Sequence, residues 1–297
     1  MTFPIPSPKE IQTILKLPKQ PTYINTGGFK AVYKIELFSR LEAIKAVYIP
    51  PSGDEGEDSI RAQLITRAER EIETLRHCNS PVLVELGSLE PTLHTIDGED
   101  YLIYSEEFLP GRALDYWIQK DPRPNFEELL GVFRSLIDLI GTLSKEGILH
   151  RDIKPANIMA TGFPERPYVV LDLGIAFKIH GTELTQGGSP PGTLRYMAPE
   201  LLTPDYKDVM DFRCDLYAAG LTIYVVASGT HPFAPMPEHE YATFYRIFNE
   251  RPRPLSELRP DLPPAFCAII DRCIRKKPAL RYAKLDLIEK ALQEIMV

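Results

Sequence analysis

Cysteine is scarce in this chain: Cys78, Cys214, Cys267 and Cys273 are the four in 297 residues. No two of them form a C-x-x-C pair, and Cys267 and Cys273 are six apart, which is not zinc-finger spacing. They read as reduced, core-filling thiols of a cytosolic protein, not as a disulfide frame or a metal clip. Long apolar runs are also missing. Leu216 to Ala227 is the longest, at 12 residues, whereas a membrane span needs about 20; a buried core helix is expected there and no span. Met1 to Glu10 carries prolines and charges where a signal peptide needs an apolar stretch, so no leader is expected. There is no basic excess: 34 Lys and Arg face 41 Asp and Glu, for a net charge of −7. That argues against a general nucleic-acid binder. The 28 prolines are scattered and no internal repeat is visible, which excludes collagen-like and long polyproline architectures.

What remains is an ordinary globular composition, 44% hydrophobic and 25% charged. The length suits two compact units or one bilobal domain. The first third reads as strands: Tyr23 to Leu37 alternates around Gly27-Gly28, and Leu41 to Ile49 is β-branched and apolar with one lysine inside. Pro50 to Asp58 reads as an acidic loop. Ile60 to Arg76 is helical by period. Val82 to Leu89 and Tyr101 to Ser105 read as two further strands, with a turn at Asp97-Gly98. After Pro110-Gly111 helices dominate. Phe126 to Lys145 is strongly amphipathic, with Asn125 as N-cap and Gly147 past its end. Leu285, Ile288, Leu292 and Ile295 mark the last helix. The expected class is α+β: a small β-rich lobe with one main helix, a hinge near 105–111, and a larger helical lobe. The proline-rich start and the acidic loop at Asp54 to Asp58 are expected to be solvated linker.

Chemistry concentrates in a few segments. His150-Arg151-Asp152-Ile153-Lys154-Pro155-Ala156-Asn157 follows the long helix. Asp172-Leu173-Gly174 comes 15 residues after Asn157, behind an apolar strand, and Gly192-Thr193 and Ala198-Pro199-Glu200 follow. This set, in this order, resembles the eukaryotic-type (Hanks-type) serine/threonine protein kinase family, from about Tyr23 to the C-terminus. The resemblance implies a bilobal protein-kinase-like fold with residues 1–22 as an N-terminal extension, 23–109 as the N-lobe and 110–297 as the C-lobe. The segment Ile274 to Tyr282 is similar in style to bacterial members.

Phosphoryl transfer needs a held nucleotide, neutralised charge and an aimed acceptor hydroxyl. The resemblance makes Asp152 the base that takes the acceptor proton and Lys154 the lysine near the γ-phosphate, which favours Ser/Thr acceptors. It makes Asn157 and Asp172 the metal ligands, as hard oxygens suited to Mg2+ or Mn2+. Lys45 would hold the α- and β-phosphates; an ammonium inside an apolar strand needs a partner or a function. Glu71 is its expected ion partner, with Glu69 and Glu73 as rivals, and Leu75, Leu86, His150 and Leu173 as an internal stack. ATP contacts are implied for Asn25, Gly27, Gly28, Val32, Ala43, Glu107, Leu109 and Met159, with Leu114 beside the adenine.

Two places depart from the family pattern. The glycine-rich loop reads Asn25-Thr26-Gly27-Gly28-Phe29-Lys30-Ala31-Val32, keeping only its middle glycine in place. Glu106 takes the gatekeeper position, usually apolar or Thr, and a carboxylate there needs a hydrogen-bond partner or water. These departures favour the alternative of a pseudokinase acting as a nucleotide-binding or scaffold module. The intact Lys45, Glu71, Asp152, Asn157 and Asp172 favour an enzyme. A small-molecule kinase on the same fold is a third reading, opposed by Gly192-Thr193 and Ala198-Pro199-Glu200.

By the same resemblance, Glu200 and Arg281 pair, Asp215 supports the catalytic-loop backbone and Thr193 bonds Asp152 and Lys154. Thr182, Thr185 and Ser189 are candidate activation-loop phosphorylation sites, with Arg151 as the phosphate's partner and self-association as a route to trans-autophosphorylation. Ala113 and Ala156 stand where basophilic members place carboxylates, so a strict upstream arginine is not expected; Asp115 is a nearby acid. The expected partner is a protein substrate with a Ser/Thr acceptor, and no nucleic acid.

Overall fold

Alternation decides the first sheet. Along β2 (Lys30–Leu37) every second side chain from Ala31 is buried, and along β3 (Arg40–Ile49) the run from Ile44 to Val47 is buried on both faces. The computed structural model describes residues 3–27, 29–51, 55–78, 80–173, 194–203, 210–234 and 240–295. Their contacts divide them into two units, the first built mainly from residues 3–78 and 84–110 and the second from 80–83 and the chain from 111 onward.

In the first unit β1 (Thr22–Gly27), β2, β3, β4 (Thr92–Ile96) and β5 (Glu99–Glu107) form an antiparallel sheet in the order β1-β2-β3-β5-β4. Both of its faces are covered. Ala31, Tyr33, Ile35, Ile44, Ala46, Tyr101 and Ile103 pack with Ile11 and Leu17 of the N-terminal segment. Val47, Ile49 and Tyr104 pack instead with Ile72 of α2 (Glu55–His77). Register places Val32 opposite Lys45, Lys45 opposite Tyr104 and Ala43 opposite Glu106. Opposed residues share a face, so these side chains all lie on the α2 side.

Three sequence expectations change here. The proline-rich start is not a solvated linker. Ser7 caps α1 (Pro8–Ile14) with Glu10 in a reciprocal capping box, Ile11 is fully buried, and the hydroxyls of Tyr33 and Tyr101 donate to the carbonyls of Pro6 and Pro4. The stretch 55–58, read as loop, already belongs to α2. Val82 to Leu89 is no strand: it makes isolated bridges at Leu83 and Leu86, and β4 lies further on, at Thr92–Ile96. An edge strand with one buried residue, Ile96, has little apolar signal to read.

The second unit begins with a small sheet, β6 (Arg112–Ala113), β7 (Ile158–Ala160) and β8 (Tyr168–Val170). Gly111 has a φ of +122°, and a Cβ there would collide with the Ala160 carbonyl, so only glycine fits that entry. α3 (Phe126–Lys145) starts at Asn125 with a capping box to Glu128 and buries nine apolar residues. It packs along α4 (Phe212–Ser228), the apolar run, in which every residue from Cys214 to Ala227 is buried. A Cβ on Gly220 would lie 2.5 Å from the Cβ of Cys273, so glycine lets α7 (Pro264–Cys273) cross α4 closely. α5 (Glu240–Asn249), α6 (Leu255–Leu258) and α8 (Asp286–Gln293) complete the described helices. No helix among the described residues is long and apolar enough to cross a membrane.

Candidate active site

The first unit gathers charge on the α2 side of its sheet. Lys45 leaves the middle of β3, and its side chain is 7% exposed. Burying an unpaired ammonium is costly, and among the described contacts this one meets two carboxylates. Its Nζ lies 2.6 Å from Glu106 Oε1 and 3.5 Å from Glu71 Oε1. Glu71 also accepts from the Tyr104 hydroxyl at 3.3 Å and lies 3.9 Å from Lys30 Nζ. Of the three carboxylates considered on α2, Glu71 is buried, while Glu69 and Glu73 are exposed.

Asn25 and Gly27 sit exposed on β1, with Gly27 paired to Lys30 across the turn; Gly28 lies outside the described residues. Val32 and Ala43 are half-buried on the same face as Lys45. The Glu107 amide donates to the Glu85 carbonyl at 2.9 Å, and Leu109 is buried. Glu42, not singled out in the sequence, is a buried carboxylate on the opposite face of the sheet. It accepts from the Ser88 amide and hydroxyl and the Ser105 hydroxyl, at 2.6 to 3.1 Å.

The second unit builds its site on one bend. Arg151 takes a φ of +62°, a conformation that side chains rarely adopt. The bend is held from α4: Asp215 accepts from the amides of His150 and Arg151, both at 2.8 Å. Burial pushes the Asp215 carboxyl upward, partly offset by His150 and those amides. Burial likewise pushes His150 down, against the pull of Asp215, Asp152 and Asp172. The His150 Nδ1 accepts from the Asp152 amide at 3.3 Å.

Past the bend, Asp152 projects half-buried. Lys154 Nζ donates to both of its carboxylate oxygens at 2.9 Å. Asn157 Nδ2 donates to Asp152 Oδ2 at 2.8 Å and to its carbonyl at 3.0 Å. The Leu171 amide donates to the Asn157 carbonyl at 2.8 Å, and Ile158 pairs with Val170. Asp172 therefore follows directly after the backbone partner of Asn157. An amide whose nitrogen is turned to Asp152 leaves its oxygen available, and an amide oxygen and a carboxylate are both hard donors of the kind that suits Mg2+ or Mn2+. Met159 is half-buried on β7, opposite Ala113. The Glu200 carboxylate meets Arg281 through two hydrogen bonds, at 2.5 and 2.8 Å. Thr182, Thr185, Ser189 and Thr193 lie outside the described residues.

Sequence reasoning missed the partners of Glu106 and Lys30. The one signal was chemical: a carboxylate and two lysines in strands that must lie within one sheet.

The protein kinase domain family matches residues 22–294, from the first strand of the sheet to the last helix. Serine/threonine-protein kinase pkn3 of Myxococcus xanthus is 30% identical over 285 residues, covering 92% of this chain and 48% of that protein. Serine/threonine-protein kinase PknA of Mycobacterium tuberculosis is 29% identical over 261 residues, covering 87% of this chain and 56% of that protein. The chain thus spans about half the length of these curated relatives. The solved PknI kinase domain of Mycobacterium tuberculosis superposes with a TM-score of 0.62 at 20% identity, over 92% of this chain and 94% of that one, a likeness of fold. A family match over nearly the whole chain leads to one conclusion: this chain belongs to the protein kinase domain family, and the relatives named above are bacterial serine/threonine-protein kinases.

Proposed function

We propose that this domain transfers the γ-phosphate of ATP to Ser/Thr hydroxyls of proteins. The observation that carries the reading is the Asp152 cluster, one carboxylate gripped by Lys154 and Asn157 on a bend held by Asp215. The acceptor hydroxyl gives its proton to Asp152 as its oxygen bonds the γ-phosphorus, and the bond to the ADP oxygen breaks. Lys154 balances charge beside Asp152. Lys45 holds the α- and β-phosphates, and Asn25, Gly27, Gly28, Val32, Ala43, Glu107, Leu109 and Met159 contact the nucleotide. A divalent cation on Asn157 and Asp172, when bound, supplies charge neutralisation of the phosphates. Autophosphorylation at Thr182, Thr185 or Ser189, through self-association, belongs to the same proposal. So does a cytoplasmic setting, supported by four free, buried cysteines.

The test is transfer from labelled ATP with Mg2+ or Mn2+ to the protein itself and to a generic protein acceptor. Label is expected in wild type and reduced about 10²–10⁴-fold in Asp152→Asn, the range that a positioned base supplies. Nucleotide that binds with no transfer to any acceptor would overturn the transferase reading in favour of a nucleotide-binding scaffold.

A further inference from the structure

Glu106 and Lys45 are diagonal neighbours in one sheet face. Lys45 stands opposite Tyr104 and Glu106 opposite Ala43, two residues along, a spacing that long side chains bridge. The bridge is made at 2.6 Å between side chains 7% and 2% exposed. Glu71 lies farther from the same ammonium, at 3.5 Å, and has the Tyr104 hydroxyl as a further donor and Lys30 as an ion partner at 3.9 Å. Among the described contacts, Glu71 and Glu106 share Lys45, and Glu106 is the nearer of the two.

We propose that Glu106 is a restraining counter-ion of Lys45, and that phosphate arriving at Lys45 competes with it. The proposal rests on the reading above that Lys45 meets nucleotide phosphates. An ammonium has three donors and one charge. Phosphate oxygens approaching the buried Lys45 add negative charge beside a carboxylate fixed on β5, where repulsion is poorly screened. Glu106 thus lowers affinity for the phosphate-bearing part of a ligand and leaves the nucleoside part alone. Glu106→Gln keeps the shape and an acceptor for Lys45 but removes the charge.

The experiment uses the full chain as wild type, Glu106→Gln, Glu106→Met and Glu71→Gln, with thermal unfolding to verify that each is folded. Without nucleotide, acylation of Lys45 by an amine-reactive ester is followed by mass spectrometry. Loss of a charged hydrogen-bond partner is expected to speed it about tenfold in both Glu106 variants, and less in Glu71→Gln. Calorimetric titration then compares ADP with adenosine. ADP is expected to bind about tenfold more tightly to Glu106→Gln than to wild type, with adenosine unchanged. Acylation unchanged in both Glu106 variants, or faster in Glu71→Gln than in either, overturns the proposal. So does an equal change for ADP and adenosine, or weaker ADP binding. If ADP shields Lys45 from acylation in wild type but Glu106→Gln gains no affinity, the proposal falls and the phosphate role of Lys45 stands. If bound ADP shields Lys45 in neither protein, that role falls and takes the proposal with it.

Discussion

His231 carries one of the clearest residue-scale consequences. Its Nε2 donates to the Arg195 carbonyl at 3.2 Å, while its Nδ1 accepts from the Phe233 amide at 3.2 Å. Those contacts require the neutral ring, and Tyr196 and Phe233 lie edge-on against it. Burial pushes the imidazole down to about 4. An unfolded histidine takes its proton near 6.5, so between these values the unfolded chain binds the proton and the folded one does not. The contribution is therefore complete above pH 6.5 and is lost as pH falls toward 4, up to on the order of 3 kcal/mol. Urea unfolding at pH 7 and pH 4.5 should show a larger acid loss in wild type than in His231→Gln. Equal losses would contradict the assignment. At this scale Lys45 was legible because a lysine inside an apolar strand demands a partner. Its pairing with Glu106 was not, because a diagonal contact exists only once the β3–β5 register is set.

At the scale of elements, α1 shows how a short signal is outweighed in a sequence and decisive in a fold. Ser7 and Glu10 form a capping box that could be read from their spacing, yet a seven-residue helix among prolines predicts little by itself. What makes it a part of the first unit is Ile11, fully buried against the sheet face opposite Lys45. Ile11→Ala is expected to destabilise that unit by about 2–5 kcal/mol, the range for truncating a buried aliphatic side chain. Denaturant unfolding of the full chain measures it, and a change under ~0.5 kcal/mol would mean that the segment is dispensable. α3 was legible to the residue, through its strong period and caps, and the apolar run from Leu216 marked the core of α4, which begins a turn earlier at Phe212. The segment from Val82 to Leu89 was not, because its apolar residues are buried by tertiary contacts rather than by strand pairing.

On the scale of the molecule, pairs far apart in sequence hold the second unit together. Arg281 is 1% exposed; it grips Glu200 and donates to the carbonyls of Arg213, Arg275 and Lys276. Removing one partner of a buried pair strands the other charge. Glu200→Ala is thus expected to cost about 3–5 kcal/mol, and Glu200→Leu with Arg281→Met to recover part of it. Thermal and urea unfolding of the three proteins would decide, and a double variant worse than the sum of its parts would refute the pairing argument.

The sequence by itself determined the family, the lobe composition and the chemistry-bearing octet around Asp152, because each depends on residues close together along the chain. The family resemblance already implied that Asp215 supports the Arg151 bend, that Glu200 meets Arg281 and that Glu71 meets Lys45; tertiary structure alone decided that Lys45 also meets Glu106. Those contacts join groups 26 to 81 residues apart. Only strand register and helix packing bring such groups within hydrogen-bond distance.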